Sequence, residues 1–301
     1  MKVKSPAIFD KGTLWEKIVK TTANALATSA LLPIPTNYEF IEDGDVCFFV
    51  RILSNLVRKD EEIKKHEREG GRVNPFLPYE KALYVADISE SHVAVLNKFN
   101  VVDHHLLIVT RKFEDQETLL TVSDFEALLA CMLEYDGLGF YNGGAAAGAS
   151  QSHKHLQLVP LPLTPEGPGI PIEPLLASAK FKDGLGVVPG FSFLHVFVRL
   201  DEAVLTTLHM GAEKIFTLYC RMLIHVGLKA PSTDRGGRQS GSYCLIITRG
   251  WMLLVPRSRE FFEGISINSL AYAGAMLVRN EQQMAVLKRR GPMKALQHTA
   301  I

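Results

Sequence analysis

Two histidines and a glutamine occupy alternate positions near the middle of the chain, at His153, His155 and Gln157. Alternate side chains of a β-strand lie on the same face, so this spacing predicts two imidazoles and an amide in one row. Glycine and alanine residues fill positions 143–149 just before them. Because small residues let the backbone approach a ligand closely, we predict an active site at this stretch.

A neutral histidine in such a site can attack phosphorus and hold the product as a covalent phosphoramidate until a second acceptor removes it. The phosphate oxygens then need hydrogen-bond donors. We expect these from the backbone N–H groups of residues 148–151 and from the side chains of Ser150 and Gln151. The competing interpretation is that the HxH spacing arose by chance on an exposed strand and that the small residues mark only a turn.

Other residues with metal-binding or anion-binding chemistry give weaker signals. His104 and His105 are adjacent and would face opposite sides of a strand, so we expect a structural role rather than metal ligation. The four cysteines form no CxxC pair, which indicates packing thiols. Residues 58–72 alternate in charge and predict a solvated helix end or loop, from which Lys59 could reach an anion.

The composition is that of a globular protein, with 47% apolar and 22% charged residues among 301. A net charge of +1 argues against a broad nucleic-acid-binding surface. No apolar run reaches the length of a membrane span, and residues 1–12 lack the apolar core of a signal peptide. The sequence therefore predicts a cytoplasmic protein without nucleic-acid or membrane partners.

The chain mixes antiparallel-looking strand runs with helices, which predicts an α+β protein. Helices are expected at 13–32, 123–136, 202–227 and 268–288, and strands at 45–53, 82–88, 92–96, 105–110, 153–159, 191–200, 243–248 and 251–255. For the second helix we predict a capping box of Ser123 with Glu126 and an end at Gly137. Prolines between 160 and 174 mark a candidate domain boundary or crossover. A sequence similarity between 106–111 and 253–257 suggests two related halves.

The stretch from Asn142 to Gln157 resembles the transferase branch of the histidine-triad superfamily, which has a glutamine where the hydrolase branch has a third histidine. Within that branch the chain is similar to the ATP adenylyltransferase, or diadenosine tetraphosphate phosphorylase, family. The likeness extends to residues 74–78, 96–101, 105–111, 248–257 and 268–274. It implies a histidine-triad-like, mostly antiparallel sheet with flanking helices. A catalytic segment, 1–175, and a carboxy-terminal adenylyltransferase segment, 176–301, would form one compact unit.

The resemblance also implies a reversible reaction in two steps. His155 would attack the α-phosphate of diadenosine tetraphosphate, release ATP and hold AMP, and inorganic phosphate would then take the AMP to give ADP. The implied partners are these nucleotides and phosphate, accompanied by magnesium or another divalent cation. No organic cofactor is implied, and the family is often monomeric.

Carried over by position, His155 is the nucleophile and Gln157 contacts a phosphate. The other substrate-contacting positions that the resemblance implies are Lys59, Asn97, Lys98, Asn142, Gly148, Ala149, Ser150, Gln151, Asn268, Ser269, Leu270, Ala275 and Arg279; none is a metal ligand. Arg279 stands where the pattern more often has lysine, and Ala275 where it has a larger residue. Lys98, Arg111, Arg257 and Arg279 are candidate cations for the phosphates, whereas Lys154 would face away from His155.

Three alternatives remain open at this point. A hydrolase of dinucleoside polyphosphates would keep the fold, but Gln157 argues against it. A hexose-1-phosphate uridylyltransferase-like enzyme would share the HxHxQ motif. A catalytically idle nucleotide-binding or zinc-binding protein could use His104, His153 and His155, although intact His155 and Gln157 and the lack of paired cysteines argue against it.

Overall fold

The computed structural model describes residues 9–53, 74–201, 207–231 and 236–301. Lys59 and the charged segment 58–72 lie outside these ranges. The helices of the described residues are α1 Leu14–Ala27, α2 Val122–Met132, α3 Glu173–Leu176, α4 Leu208–His225, α5 Ser269–Tyr272, α6 Glu281–Arg290 and α7 Pro292–Thr299. The strands are β1 Thr36–Asp43, β2 Val46–Leu53, β3 Tyr84–Asp87, β4 His92–Leu96, β5 Leu106–Thr110, β6 Gly137–Gly143, β7 His155–Pro160, β8 Lys180–Lys182, β9 Leu185–Val187, β10 Val196–Arg199, β11 Tyr243–Ile247, β12 Trp251–Pro256, β13 Phe261–Phe262, β14 Ile265–Ser266 and β15 Ala275–Val278.

Ten strands form one antiparallel sheet in the order β3-β4-β5-β7-β6-β11-β12-β10-β9-β8. The first five strands in this order come from the first segment of the chain, and the other five come from the second. Both halves have the same internal order, and each places a helix, α2 or α4, before its fourth strand. The two predicted halves therefore exist, joined edge to edge where β6 pairs with β11.

The registers and the matching ends of β7 and β12 relate equivalent residues of the two halves about the directly paired Phe140 and Ile246. Gln157 pairs with Phe140 in the first half, and Leu253 pairs with Ile246 in the second. By the same registers, Trp251 occupies the position of His155. The sequence similarity between residues 106–111 and 253–257 relates β5 to β12. These strands are not equivalent, because β5 is the third strand of the first half and its counterpart is β10, the third strand of the second half.

The sheet is covered on both faces, which explains why strands such as β4 and β5 are buried at every position. Helices α1, α2 and α4 pack on one face over a core that includes Leu128, Leu156 and Tyr219. The other face is covered over β4 and β5 by Phe76 and Tyr79, and over the central strands by α5–α7 and a small sheet of order β1-β2-β15. This arrangement confirms the predicted α+β class and the two segments packed as one unit; the boundary between 175 and 176 stays a prediction.

Two details of the second helix differ from the prediction. Its N-cap is Thr121, and Asp124 rather than Glu126 closes the capping box, because the backbone is still extended at Thr121 and already helical at Ser123. The helix ends at Met132, and Gly137 instead begins β6. A Cβ at Gly137 would lie 2.9 Å from both Leu158 and Val159 atoms, so close strand packing requires that glycine.

The predicted helix over 268–288 is wrong. The chain forms the short helix α5, turns at Gly274 with φ +88°, pairs β15 in parallel with β2, and only then enters α6. A long-range strand pairing thus replaces the middle of a locally helical pattern. For the predicted helix over 202–227, residues 202–206 lie outside the described ranges and the rest is α4. In the described part of the chain, no helix has the length and apolar character needed to cross a membrane.

Candidate active site

His155 is the first residue of β7, which follows the glycine–alanine loop and lies between β5 and β6 in the first half-sheet. It pairs with Val109 of β5 and packs against the ring of Phe76, with the ring centroids 5.3 Å apart. Only 5% of its surface is exposed. The backbone of His155 is therefore fixed by strand pairing, and its imidazole packs against an aromatic ring.

The hydrogen bonds of His155 fix its tautomer. Its Nδ1 lies 2.8 Å from the carbonyl oxygen of His153, and because a carbonyl only accepts, Nδ1 carries the proton. Burial lowers the pKa of His155 to about 4, against a smaller raising effect of that backbone bond. The ring is therefore neutral at pH 7, with the lone pair on Nε2, which is the form a nucleophile needs.

His153 faces its own set of partners. Its Nε2 donates to the carbonyl oxygen of Thr110 at 2.8 Å, and its Nδ1 accepts from the Asn74 side-chain amide at 3.0 Å. Phe76 and Phe113 pack against its ring. Burial lowers its pKa. Both ring nitrogens of His153 are occupied, so this residue supports the nucleophile rather than competing with it.

The pairing of β6 with β7 ends at Phe140 and Gln157. Beyond that pair, the side chain of Gln116 lies between the two strands and bonds to both. Its Oε1 accepts from the backbone N–H of His155 at 2.9 Å, and its Nε2 donates to the Asn142 carbonyl at 2.9 Å. The side chain is 2% exposed. Sequence reasoning missed Gln116, because a loop glutamine carries no local signal that it will be buried between two strands.

His105 was expected to be structural only, yet it lies within the site. Its Nε2 is 2.9 Å from Oε1 of Gln157, and its Nδ1 is 3.2 Å from Nδ2 of Asn97. One assignment satisfies both bonds: His105 donates from Nε2 and accepts at Nδ1. Burial lowers the pKa of His105 to about 4, so the ring stays neutral. Gln157 then keeps its NH₂ group for a ligand on the His155 face.

The loop before His155 does not offer all of the backbone phosphate donors that the sequence predicts. It turns at Gly144, forms a 3₁₀ turn over Ala145–Ala147, and turns again at Gly148 with φ +86°. The backbone N–H groups of Gly148 and Ala149 bond to carbonyls inside the loop, at 2.9 and 3.3 Å. They are therefore already occupied. Ser150 and Gln151 are exposed and remain the candidate donors of this segment.

Asn142 joins this loop to the carboxy-terminal segment. Its Oδ1 accepts from both the backbone N–H and the hydroxyl of Ser269, at 3.0 and 2.6 Å. Asn268 caps the same short helix by accepting from Leu270 N–H at 3.0 Å. A Cβ on Gly148 would lie 2.9 Å from the Cβ of Asn268. The structure thus brings together two groups of predicted residues that are more than a hundred positions apart in the sequence: Asn142 and Gly148 in one group, and Asn268, Ser269 and Leu270 in the other.

Three basic residues that the sequence analysis discussed form hydrogen bonds or ion pairs with other groups of the protein. Arg257 is buried and donates to the carbonyls of Thr299 and Ile267, so it fixes the carboxy-terminal segment and does not bind phosphate. Arg111 pairs with Asp87. Lys154 is fully buried and ion-paired on the side of the strand away from His155, as its alternation predicted.

The two remaining predicted cations, Lys98 and Arg279, are accessible to solvent. Lys98 pairs with Glu80 at 2.9 Å and is one third exposed. Arg279 is exposed just after β15, and Ala275 on the same strand pairs with Phe49. Within the described ranges, no three histidine, cysteine or acidic side chains come together in a way that could hold a metal ion.

Comparisons with known proteins agree with this geometry. Residues 4–178 match the family model of the Ap4A phosphorylase N-terminal domain, and residues 189–301 match that of the ATP adenylyltransferase C-terminal domain. The chain is 28% identical over 262 residues to diadenosine 5',5'''-P1,P4-tetraphosphate phosphorylase 2 of Saccharomyces cerevisiae, covering 79% of this chain and 78% of that protein.

Solved structures show the same fold. Yeast Ap4A phosphorylase Apa2 in complex with AMP superposes with a TM-score of 0.75 at 24% identity, covering 96% of this chain and 97% of that one. The complex of Apa2 with Ap4A gives a TM-score of 0.75 at 22% identity, covering 98% and 99%.

Proposed function

Because the chain belongs to the Ap4A phosphorylase family, we propose that it is a nucleotidyltransferase that phosphorolyses diadenosine tetraphosphate to ADP and ATP, reversibly. The observation that carries this proposal is the bond from His155 Nδ1 to the carbonyl of His153. It leaves the lone pair on Nε2 of a neutral imidazole, and such a ring can accept an AMP group at neutral pH.

The reaction has two displacements at one phosphorus atom. In the first, Nε2 of His155 bonds to the α-phosphorus, the bridging P–O bond breaks, and ATP leaves with that electron pair. In the second, an oxygen of inorganic phosphate attacks the same phosphorus, the P–N bond breaks, and ADP forms. His155 returns to its neutral form with Nδ1 still protonated. Splitting one displacement into two lets the acceptor enter after the leaving group has gone.

Hydrogen-bond donors around His155 would stabilise the charge on the reacting phosphate. Gln157 presents its NH₂ group because His105 takes its oxygen, and Asn142 presents Nδ2 because Ser269 takes its oxygen. Ser150 and Gln151 add donors from the loop, and Gly148 and Ala149 shape it. Donors that are already oriented cost no reorganisation when charge develops.

The remaining nucleotide would extend from His155 toward the rim. We assign Asn97 and Lys98 to one side, and Asn268, Ser269, Leu270, Ala275 and Arg279 to the other, with Lys59 as a further contact. Arg279 would offer a bidentate guanidinium to a phosphate, whereas lysine offers a point charge. When the nucleotide binds, the ammonium of Lys98 would leave Glu80 and pair with phosphate oxygens.

Magnesium or a similar divalent ion would arrive with the polyphosphate and neutralise part of its charge, held by phosphate oxygens and water rather than by a protein site. The proposal needs no organic cofactor. We further propose that the chain acts as a cytoplasmic monomer on nucleotides and phosphate, without nucleic-acid or membrane partners. Its near-neutral net charge of +1 supports the absence of a nucleic-acid surface.

Phosphate dependence tests this proposal against hydrolysis. The purified protein with diadenosine tetraphosphate should yield ADP and ATP in equal amounts when phosphate is present. Without phosphate, turnover should stop after about one AMP is transferred per protein. Continued release of AMP and ATP in phosphate-free buffer would show a hydrolase, and no product in either buffer would reject the nucleotidyltransferase proposal.

A further inference from the structure

Lys154 stands between His153 and His155 but has no exposed surface. Its ammonium donates to three oxygens: Asp124 Oδ2 at 2.7 Å, Glu114 Oε2 at 3.2 Å and the Leu119 carbonyl at 3.2 Å. A lysine ammonium has three N–H donors, so each has an acceptor. Because a buried charge is costly unless it is paired, the side chain is confined to this one arrangement.

Asp124 connects this ammonium to the rest of the core. Its carboxylate also accepts from Nε2 of His92 at 3.0 Å and from the backbone N–H of Thr121 at 2.7 Å. Burial alone would raise the pKa of Asp124, but Lys154 and His92 together hold it below the usual range of a carboxyl group. An ionised carboxylate at the start of α2 therefore anchors the lysine.

The backbone of Lys154 is held as firmly as its side chain. Its N–H donates to the Glu114 carbonyl at 2.8 Å, and its carbonyl accepts from Thr110 N–H at 3.3 Å. The N–H of Lys154 and the carbonyl of His153 belong to one planar peptide group. Any rotation of that plane would move the carbonyl oxygen that accepts the Nδ1 proton of His155.

We propose that Lys154 is a positioning residue, whose buried contacts with Asp124 and Glu114 fix the peptide plane that holds His155 in its nucleophilic tautomer. Lys154 lies on the opposite side of the strand from His155 and does not touch the reacting phosphate. This inference rests on the proposed function, since it concerns the same nucleophile. Replacing both partners of a buried ion pair often leaves stability unchanged. If Lys154 only stabilised the fold, a folded variant that lacks both Lys154 and Asp124 would therefore keep the wild-type kcat.

The test uses variants that separate positioning from folding. Lys154→Met keeps an unbranched side chain one atom shorter but leaves Asp124 without its ammonium partner, so the double variant Lys154→Met/Asp124→Asn removes both charges together. Glu114→Gln changes a half-exposed partner and spares the core. Lys214→Met, at an exposed position of α4, is the control for loss of a lysine.

The double variant should lose at least tenfold in kcat with KM for diadenosine tetraphosphate within threefold. Glu114→Gln should lose two- to fivefold in kcat, and Lys214→Met should match the wild type. In ¹⁵N-labelled protein, the imidazole signals of His155 should show Nδ1–H in the wild type and a mixture of tautomers in the double variant. A folded double variant with wild-type kcat and tautomer would overturn the proposal.

If the double variant does not fold, an unchanged kcat in Glu114→Gln would overturn the proposal. An inactive wild type would instead reject the proposed function itself. The two failures are therefore distinguishable, because the positioning role is read from ratios between variant and wild type.

Discussion

The imidazole of His105 donates from Nε2 to the side-chain oxygen of Gln157 across 2.9 Å. His105 immediately precedes β5, the strand that pairs with β7, and Gln157 lies in β7. This bond turns the amide so that its NH₂ group is available to a ligand. The side-chain amide of Asn97 donates to Nδ1 of His105, which leaves the proton of the neutral ring on Nε2. A buried neutral histidine thus sets the orientation of the amide that we assign to phosphate.

Gln157→Glu tests that orientation with almost no change in shape. The new carboxylate can still accept from His105, but it presents a negative oxygen where the amide presented a donor. We expect kcat/KM to fall by about 10²- to 10³-fold, as for loss of one donor to a developing negative charge. Gln297→Glu, at an exposed position of α7, is the matched control and should leave kcat/KM unchanged. Activity of Gln157→Glu within threefold of wild type would contradict the assigned role.

The buried histidines also predict how stability depends on pH. His105 and His155 each have a pKa lowered by burial to about 4, whereas an unfolded imidazole titrates near 6.5. Between these values only the unfolded chain takes up the protons. Stability is therefore highest above pH 6.5 and falls as the pH drops toward 4, by about 2 kcal/mol per imidazole from pH 7 to pH 5.

His105→Gln isolates one of these two contributions. The difference in unfolding free energy between pH 7 and pH 5, measured by urea titration, should be smaller in this variant by about 2 kcal/mol. Exposed His298→Gln is the control and should retain the wild-type pH dependence. Equal pH dependence in His105→Gln and wild type would show that His105 is not held neutral by the fold.

Gly148 tests the contact between the loop and the carboxy-terminal segment. Gly148 and Gly184 both have positive φ, +86° and +77°, so alanine introduces similar backbone strain at either position. Only at Gly148 would the new Cβ meet another residue, 2.9 Å from Asn268. Gly148→Ala should lower kcat/KM at least tenfold, and Gly184→Ala should stay within twofold. Equal effects of the two substitutions would remove Asn268 from the proposed site.

Local patterns were enough to predict the strand alternation around the nucleophile. Alternation depends on backbone geometry alone, so His155 and Gln157 could be placed on one side and Lys154 on the other before any tertiary contact was known. The same holds for β4, whose apolar run His92–Leu96 was predicted to the residue.

The partners of these residues could not be predicted in the same way. His105 meets Gln157 because β5 and β7 pair with Leu107 opposite Gln157, a register that joins positions 50 apart. Lys154 meets Asp124 through the cap of α2. The strand Ala275–Val278 depends on pairing with β2 and was mistaken for helix. These three contacts are distant in sequence, and neither periodicity nor composition encodes them, whereas the cap of α2 was misplaced by two residues within one turn.

Trapping of the adenylyl group on His155 tests the central claim most directly. The protein should be incubated with diadenosine tetraphosphate in phosphate-free buffer and digested under conditions that preserve phosphoramidates. We predict one AMP per chain on the peptide containing His155, released as ADP when phosphate is added, and no such adduct in His155→Ala. Full turnover by His155→Ala, or an adduct on another residue, would contradict the proposed mechanism.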